Sequence, residues 1–290
     1  MPQNKPIRRV AVIGTGVIGA SWAALFLANG LEVVATDVAP DAEAALKRFV
    51  AAAWPALQRL GLASGASQSK LSFTAALATA VKNVDLVQEN GPEKIDFKRT
   101  LYKQLDELLP PDVIIASSSS GLTMSEIQSA CPSHPERCVI GHPFNPPHLV
   151  PLVEIVGGAK TSEDTLQRAT EFYAGLGKRP VRLNKEVPGH VANRLQAALA
   201  REVYHLVAEG VVSVADVDTA LSWGPGLRWG IMGQVLLNHL GGGQGGIEHF
   251  FQQFTGPMEA WWKVLARISQ ILSASGARIS ESCCAATTFR

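Results

Sequence analysis

Cysteine is scarce in this chain: four residues among 290, too few and too spread out for a disulfide scaffold. Cys131, Cys138 and His142 can be scanned as a metal set, but their spacing fits no usual site and no fourth ligand accompanies them, so no metal is expected. Net charge is also nearly absent, since 26 Lys and Arg face 25 Asp and Glu to leave +1. That balance gives no electrostatic footing for nucleic acid or for an anionic membrane surface. The first residues are polar and the first apolar run is short, so no signal peptide is expected. Residues 229–247 carry no charge, yet glycines together with Gln234, Asn238 and His239 interrupt them, which argues against a membrane helix. No internal repeat is visible. A cytoplasmic protein of a reducing compartment is the expectation, with 47% hydrophobic residues to build a core and length enough for two domains.

The most informative stretch lies near the start. Val10-Ala11-Val12-Ile13 has the composition of a buried strand, and Gly14-Thr15-Gly16-Val17-Ile18-Gly19 follows with G-x-G-x-x-G spacing before a helical run over residues 20–28. In such a turn the first glycine permits the tight bend, the second lets the backbone approach a pyrophosphate, and the third lets helix pack on strand. The helix also directs its unpaired N–H groups and positive end at that pyrophosphate. A second strand, residues 32–36, ends at Asp37, where a carboxylate can accept from a ribose diol and repel a 2′-phosphate. The combination predicts NAD rather than NADP.

Strands then alternate with helices. A helical stretch over residues 41–62 is expected to break at Pro55. Further strands are expected at 71–73, 84–87, 113–116, 139–141, 152–156 and 181–183, with helices at 75–80, 95–109 and 161–176 between them. This order predicts βαβ units and a parallel, doubly wound α/β sheet of the Rossmann type. Residues 89–93 should leave the sheet at its ligand edge, and His142 should open a proline-stiffened loop running to His148. From Pro188 onward the pattern is helical, over 191–209 and 213–222, the latter opened by a capping box with Asp216 in place of Glu after Ser213. The division expected is a cofactor domain over residues 1–186 and a mainly helical domain over residues 187–290.

His142 and Glu154 are the candidate catalytic pair. Oxidising a secondary alcohol requires a base for the hydroxyl proton, and imidazole titrates in the useful range. A carboxylate on the neighbouring strand would fix the tautomer and stabilise the imidazolium. From spacing alone, a structural role for both residues remains the alternative.

His142-Pro143-Phe144-Asn145-Pro146 with the later Glu154, the run Ala116–Leu122, the glycine turn and Pro188-Gly189-His190-Val191-Ala192-Asn193-Arg194-Leu195 together resemble the L-3-hydroxyacyl-CoA dehydrogenase family over residues 8–265. The resemblance implies an NAD-dependent alcohol dehydrogenase that acts on a small 3-hydroxy substrate as a homodimer. It implies His142 as base, Glu154 as its partner, and Ser120 and Asn193 as polar partners of the substrate oxygens. By position it also implies cofactor contacts at Gly14, Thr15, Gly16, Val17, Ile18, Gly19, Asp37, Glu93 and Lys98, the last two having a solvated helix start as their alternative. Members acting on CoA thioesters hold the CoA through a Ser and a Lys at positions that fall here near Ala53 and Leu60, neither of which can do so, although Arg59 lies close. Trp223-Gly224-Pro225-Gly226-Leu227-Arg228-Trp229 is instead similar to the branch acting on free 3-hydroxy acids, the L-carnitine and L-gulonate 3-dehydrogenase group. Arg228 would bind a free carboxylate through a bidentate fork, with a surface ion pair as its alternative. Trp223 and Trp229 read as packing residues, a quaternary-ammonium cage being the alternative. A CoA thioester substrate and a non-catalytic, crystallin-like protein are the competing readings. The small, polar tail over residues 273–290 suggests no function.

Overall fold

A computed structural model describes residues 6–265. The chain divides into two compact units, the first ending at Asn193 and the second starting at Arg194. The polar tail lies outside the described residues.

The first unit runs β1 (Arg9–Ile13), α1 (Val17–Ala28), β2 (Glu32–Thr36), α2 (Ala42–Leu60), β3 (Leu71–Phe73), α3 (Leu77–Ala80), β4 (Leu86–Glu89), α4 (Ile95–Leu108), β5 (Ile114–Ser117), α5 (Met124–Gln128), β6 (Cys138–Pro143), β7 (Leu152–Gly157), α6 (Glu163–Gly175) and β8 (Arg179–Leu183). One eight-stranded sheet holds them in the order β3-β2-β1-β4-β5-β6-β7-β8. Both faces are covered. Val10 and Val12 of β1 join α1, α2 and α6 in one core layer, while Ala11 and Ile13 join Tyr102, Leu105 and Ile127 in the other. Alternate residues of a strand point to opposite faces, which explains why these strands are apolar throughout. The order reverses between β1 and β4, and the crevice beyond their carboxyl ends is where ligands bind in open α/β sheets.

Three expectations are corrected. The sheet is mixed, because β7 runs antiparallel to β6. Residues 144–151 join the two strands, and a parallel crossover needs roughly a dozen residues or more. His142 and Pro143 accordingly belong to β6, and Glu89 is the buried last residue of β4 rather than a loop residue. Thirdly, α2 continues through Pro55. Proline removes one helical N–H there, but Pro55 and Ala51, whose carbonyl loses its partner, are both exposed residues, so water can compensate. Pro55→Ala is expected to stabilise the unit by up to about 3 kcal/mol. Thermal unfolding should show a rise of several degrees; no rise would mean that α2 is bent to suit the ring.

α7 (Ala192–Ala208) opens two residues before the unit boundary, and α8 (Val214–Trp223), α9 (Pro225–Trp229), α10 (Gln234–Gly241) and α11 (Gly246–Val264) complete the second unit. Ser213 caps α8 by accepting from the Asp216 N–H, but the Asp216 carboxylate takes the Ser213 hydroxyl at 2.6 Å. The shorter Asp therefore does not close the reciprocal half of the box that Glu provides; the full box occurs at Thr123 and Glu126, opening α5. Among the described residues of this unit, Val217 is the one buried hydrophobic side chain. No helix among the described residues is long and apolar enough to cross a membrane.

Candidate active site

Register builds the centre of the site. His142 and Glu154 are directly opposed across the β6–β7 pair, and opposed residues project to the same face. Nδ1 of His142 lies 2.8 Å from Oε2 of Glu154. A carboxylate only accepts, so Nδ1 carries the proton and Nε2 keeps the lone pair that a base needs. The other carboxylate oxygen accepts from the N–H groups of Val191 at 2.8 Å and Ala192 at 3.0 Å. Burial pushes the Glu154 carboxyl up, but the bonds from His142, Ala192 and Val191 outweigh it and hold the group below its ordinary value. It therefore stays ionised at neutral pH beside the imidazole it orients.

The loop after His142 is fastened from behind. Lys178 donates from Nζ to the carbonyls of Pro147 and Val150 and lies 5.4 Å over the Trp22 ring. Burial brings this ammonium down to about 8. The Ser21 hydroxyl accepts from the His148 N–H at 2.9 Å and bonds its ring at 2.6 Å.

Ser120 lies in a turn gathered by Glu93. One Glu93 oxygen accepts from the Ser119 hydroxyl at 2.6 Å and from the N–H groups of Ser120, Gly121 and Leu122 at 3.0, 2.8 and 3.2 Å. Burial raises this carboxyl, and the bond from Ser119 leads the donors that bring it below its usual value. Asn193 donates from Nδ2 to the Ser120 carbonyl at 3.3 Å, so the two candidate polar residues are neighbours. Lys98 is buried with its ammonium 2.9 and 3.0 Å from the Glu89 oxygens and 3.7 Å from Glu93. Its hold on any ligand is thus indirect, through the two glutamates.

The glycine turn has the geometry that a dinucleotide requires. Gly14 sits at φ +81°, and a Cβ there would meet the Asn90 carbonyl at 2.8 Å. A Cβ on Gly19 would lie 1.9 Å from the Gly14 carbonyl oxygen, whereas Gly16 has no neighbour within 4 Å and faces open space. Val17 and Ile18 form the first turn of α1. Thr15 donates from N and Oγ1 to one oxygen of Asp37, at 2.6 and 3.0 Å, and the Ala39 N–H donates to the other at 2.9 Å. Burial raises Asp37, but these donors prevail and lower it, keeping an anion at the rim. A cavity of about 550 Å³ is bordered by Gly14, Gly16, Asp37, Asn90 and Phe97. The residues present fit NAD.

The comparisons with known proteins agree with this geometry. The 3-hydroxyacyl-CoA dehydrogenase NAD binding domain matches residues 9–187, and the C-terminal domain of the same family matches residues 189–282. This chain belongs to the 3-hydroxyacyl-CoA dehydrogenase family. Within that family it is 50% identical over 265 residues to the L-carnitine dehydrogenase of Streptomyces coelicolor, covering 91% of this chain and 82% of that one. The L-carnitine dehydrogenase of Bacillus cereus is 43% identical over 282 residues, 97% of this chain and 86% of that protein. Among solved structures, 5-formyl-3-hydroxy-2-methylpyridine 4-carboxylic acid 5-dehydrogenase, an NAD⁺-dependent dismutase, superposes with a TM-score of 0.85 at 35% identity, covering 96% of this chain and 87% of that one. The 3-hydroxybutyryl-CoA dehydrogenase of Escherichia coli gives 0.70 at 26% identity, over 91% of this chain and 55% of that one. As a family member the chain is an NAD-dependent oxidoreductase that converts a 3-hydroxyl to the 3-keto group.

Three residues at the site were not singled out by sequence reasoning. Glu89 holds Lys98 from inside β4, and Asn90 borders the cavity while its side chain bonds Ser118 at 2.7 Å. His190 packs its ring 5.1 Å from that of His142. Glu89 and Asn90 lie in the segment expected at the ligand edge and His190 in the motif that carries the resemblance, but their partners Lys98, Ser118 and His142 are distant in sequence. Arg228 lies in the second unit on α9, exposed and without an ion pair among the described residues. Trp223 and Trp229 are exposed there too, the latter donating to Gln234 at 2.5 Å.

Proposed function

We propose that this chain oxidises the 3-hydroxyl of a free 3-hydroxy acid, L-carnitine or a close analogue, to the 3-keto acid. The observation that carries the substrate class is the identity of up to 50% to L-carnitine dehydrogenases across most of the chain. Two features support it. Ala53 is buried inside α2 and Leu60 exposed at its end, and neither side chain can hydrogen-bond a CoA group. Arg228 is a cation free of any described acidic partner, suited to a carboxylate.

In this reading the substrate hydroxyl lies against Nε2 of His142, and Ser120 and Asn193 hold the oxygens around it. NAD⁺ bound over the glycine turn supplies the hydride acceptor. His142 takes the hydroxyl proton at Nε2 as C3 is oxidised, and the imidazolium so formed is stabilised by Glu154 at 2.8 Å. Gly14 to Gly19, Asp37 and Glu93 hold the cofactor, with Lys98 acting through its glutamates.

NAD⁺ reduction should be compared for L-carnitine, L-gulonate and 3-hydroxybutyrate, beside NADH oxidation with acetoacetyl-CoA. The expected result is the highest kcat/KM with L-carnitine. Turnover of the thioester alone would overturn the free-acid reading; NADH binding without any turnover would indicate a non-catalytic protein.

The reading includes a homodimer formed through the second unit. Trp223, Ile231, Val235, Trp261 and Trp262 are each at least 59% exposed there, while Val217 is the sole hydrophobic side chain it buries among the described residues. A helical unit so poor in buried apolar surface needs a partner surface. Light scattering should give twice the 30.9 kDa chain mass; a monomer would overturn this part.

A further inference from the structure

His190 has no task in the mechanism above, yet it joins the two halves of the site. The residue is 2% exposed. Its Nε2 lies 3.0 Å from the carbonyl oxygen of Ser119. A carbonyl only accepts, so Nε2 carries the proton, and a neutral ring then leaves a bare lone pair at Nδ1. No described donor reaches that nitrogen, which is sealed from solvent. On its other side the ring packs against His142, tilted by 52°. The backbone is shaped for this placement: Gly189 and His190 sit in succession at φ +75° and +52°. Left-handed backbone is uncommon for a residue with a side chain. The turn they make delivers the N–H groups of Val191 and Ala192 to Glu154 and the Asn193 amide to Ser120. One short segment therefore grips the Ser119–Ser120 turn and the His142–Glu154 pair together.

We propose that His190 is a positioning residue for the reaction: while neutral it locks the Ser119–Ser120 turn against the His142–Glu154 pair, and turnover stops when it takes a proton. This inference rests on the reading of His142 as the base. A proton on Nδ1 would create a buried N–H with no acceptor, and it would set a cation beside an imidazole that must itself become cationic. The charged and titratable groups facing His190 are His142 from β6, Glu154 from β7 and Glu93 from the segment before α4. Burial leads in pushing the His190 imidazole down and His142 adds to it; the bond to Ser119, Glu154 and Glu93 push the other way, and the net is below the ordinary histidine value.

The test is the acid limb of kcat/KM for NAD⁺ reduction, followed from about pH 8 to 4.5 across the imidazole range. Two imidazoles that must both be unprotonated give log(kcat/KM) a limiting slope of about 2, whereas His142 acting alone gives about 1. A slope that stays near 1 through the pH at which His190 itself takes up its proton, followed in the same samples by NMR of the ring C–H, would overturn the proposal. His190→Asn keeps a residue that tolerates left-handed backbone and does not titrate, but its shorter amide gives up the bond that Nε2 makes to Ser119. The expected result is a slope reduced to about 1 with the plateau lowered roughly ten- to hundredfold by lost positioning. A slope of 2 persisting in this variant would equally overturn it, and His190→Gln provides the same test if the Asn variant fails to fold. His142→Gln separates the two readings. Turnover retained there removes the base assignment and this proposal with it, whereas an unchanged slope in His190→Asn removes this proposal alone.

Discussion

Glu154→Gln is expected to lower kcat for alcohol oxidation by about 10³- to 10⁴-fold, with little change in the Kd for NADH. The variant is isosteric, and its amide oxygen can still accept from Val191 and Ala192, which now donate at 2.8 and 3.0 Å. The loss falls on the other contact, 2.8 Å from Nδ1 of His142. An amide NH₂ there donates, so Nδ1 must accept and the imidazole proton moves to Nε2, the nitrogen that faces substrate. The base is then blocked by its own proton, and no carboxylate remains to stabilise an imidazolium. The bulkier loss in Glu154→Ala would leave two N–H groups without partners and confound folding with chemistry. Acid stability gives a second reading of the same residue. The Glu154 carboxyl is held below its ordinary value in the folded protein. Its contribution to stability is therefore complete above the unfolded glutamate value of about 4.3 and is lost as pH falls through the folded one. The Gln variant should lack that component, so the gap in melting temperature between the two proteins should narrow as the pH drops below 4.3. Steady-state rates in the Gln variant within tenfold of the native enzyme would mean that Glu154 neither fixes the His142 tautomer nor stabilises its charged form.

The parts of this site that were legible in the sequence are those where one residue type has one physical use. Gly14 and Gly19 are needed where backbones approach, Gly16 leaves open space at the start of α1, and Asp37 puts a carboxylate at the end of β2. His142 and Glu154 are paired in the sequence by the family resemblance, while the register that opposes them appears only with the fold. What escaped depended on partners distant in sequence. Lys98 has the spacing of an exposed helical lysine, but it is buried because Glu89, inside β4, offers both oxygens. Glu93 looks like a solvated helix start, yet it organises Ser119 to Leu122 because that turn arrives beside it from β5. The antiparallel β7 was within reach of the sequence, since residues 144–151 are too few for a helical crossover. The regular alternation of strands and helices upstream made the parallel rule look general. Pro55 shows the reverse error: a strong local preference for breaking a helix is outvoted when Leu46, Val50, Ala53 and Leu57 bury one face of α2 on either side of it.

The glycine turn allows fold and cofactor binding to be separated by two single-methyl substitutions. In Gly19→Ala the new methyl carbon would stand 1.9 Å from the Gly14 carbonyl oxygen and 3.0 Å from its carbon. Both obstacles are backbone, and Gly14 is itself fixed by its N–H to the Thr36 carbonyl at 2.9 Å. Relief requires α1 to move off β1, and α1 is buried from Gly19 to Ala28 in the largest core layer. Overpacking of this kind should cost at least about 3 kcal/mol. For a unit of this size the melting temperature should fall by about 6–12 °C, and NADH binding should fall with it. Gly16→Ala differs in each respect. Its φ of −59° suits any residue, and a methyl group there meets nothing within 4 Å. The folded protein should keep its melting temperature within about 2 °C, since Gly→Ala at a permitted backbone conformation is neutral or slightly stabilising. The methyl group does fill the space through which a pyrophosphate must reach the N-terminus of α1. The Kd for NADH, measured by fluorescence titration, should rise at least about tenfold, as expected if charge-assisted N–H contacts to the phosphates are lengthened. Tight NADH binding by the Gly16 variant would mean that the cofactor does not cross this turn. A Gly19 variant with native stability would mean that the close packing of α1 on β1 is not what the third glycine secures.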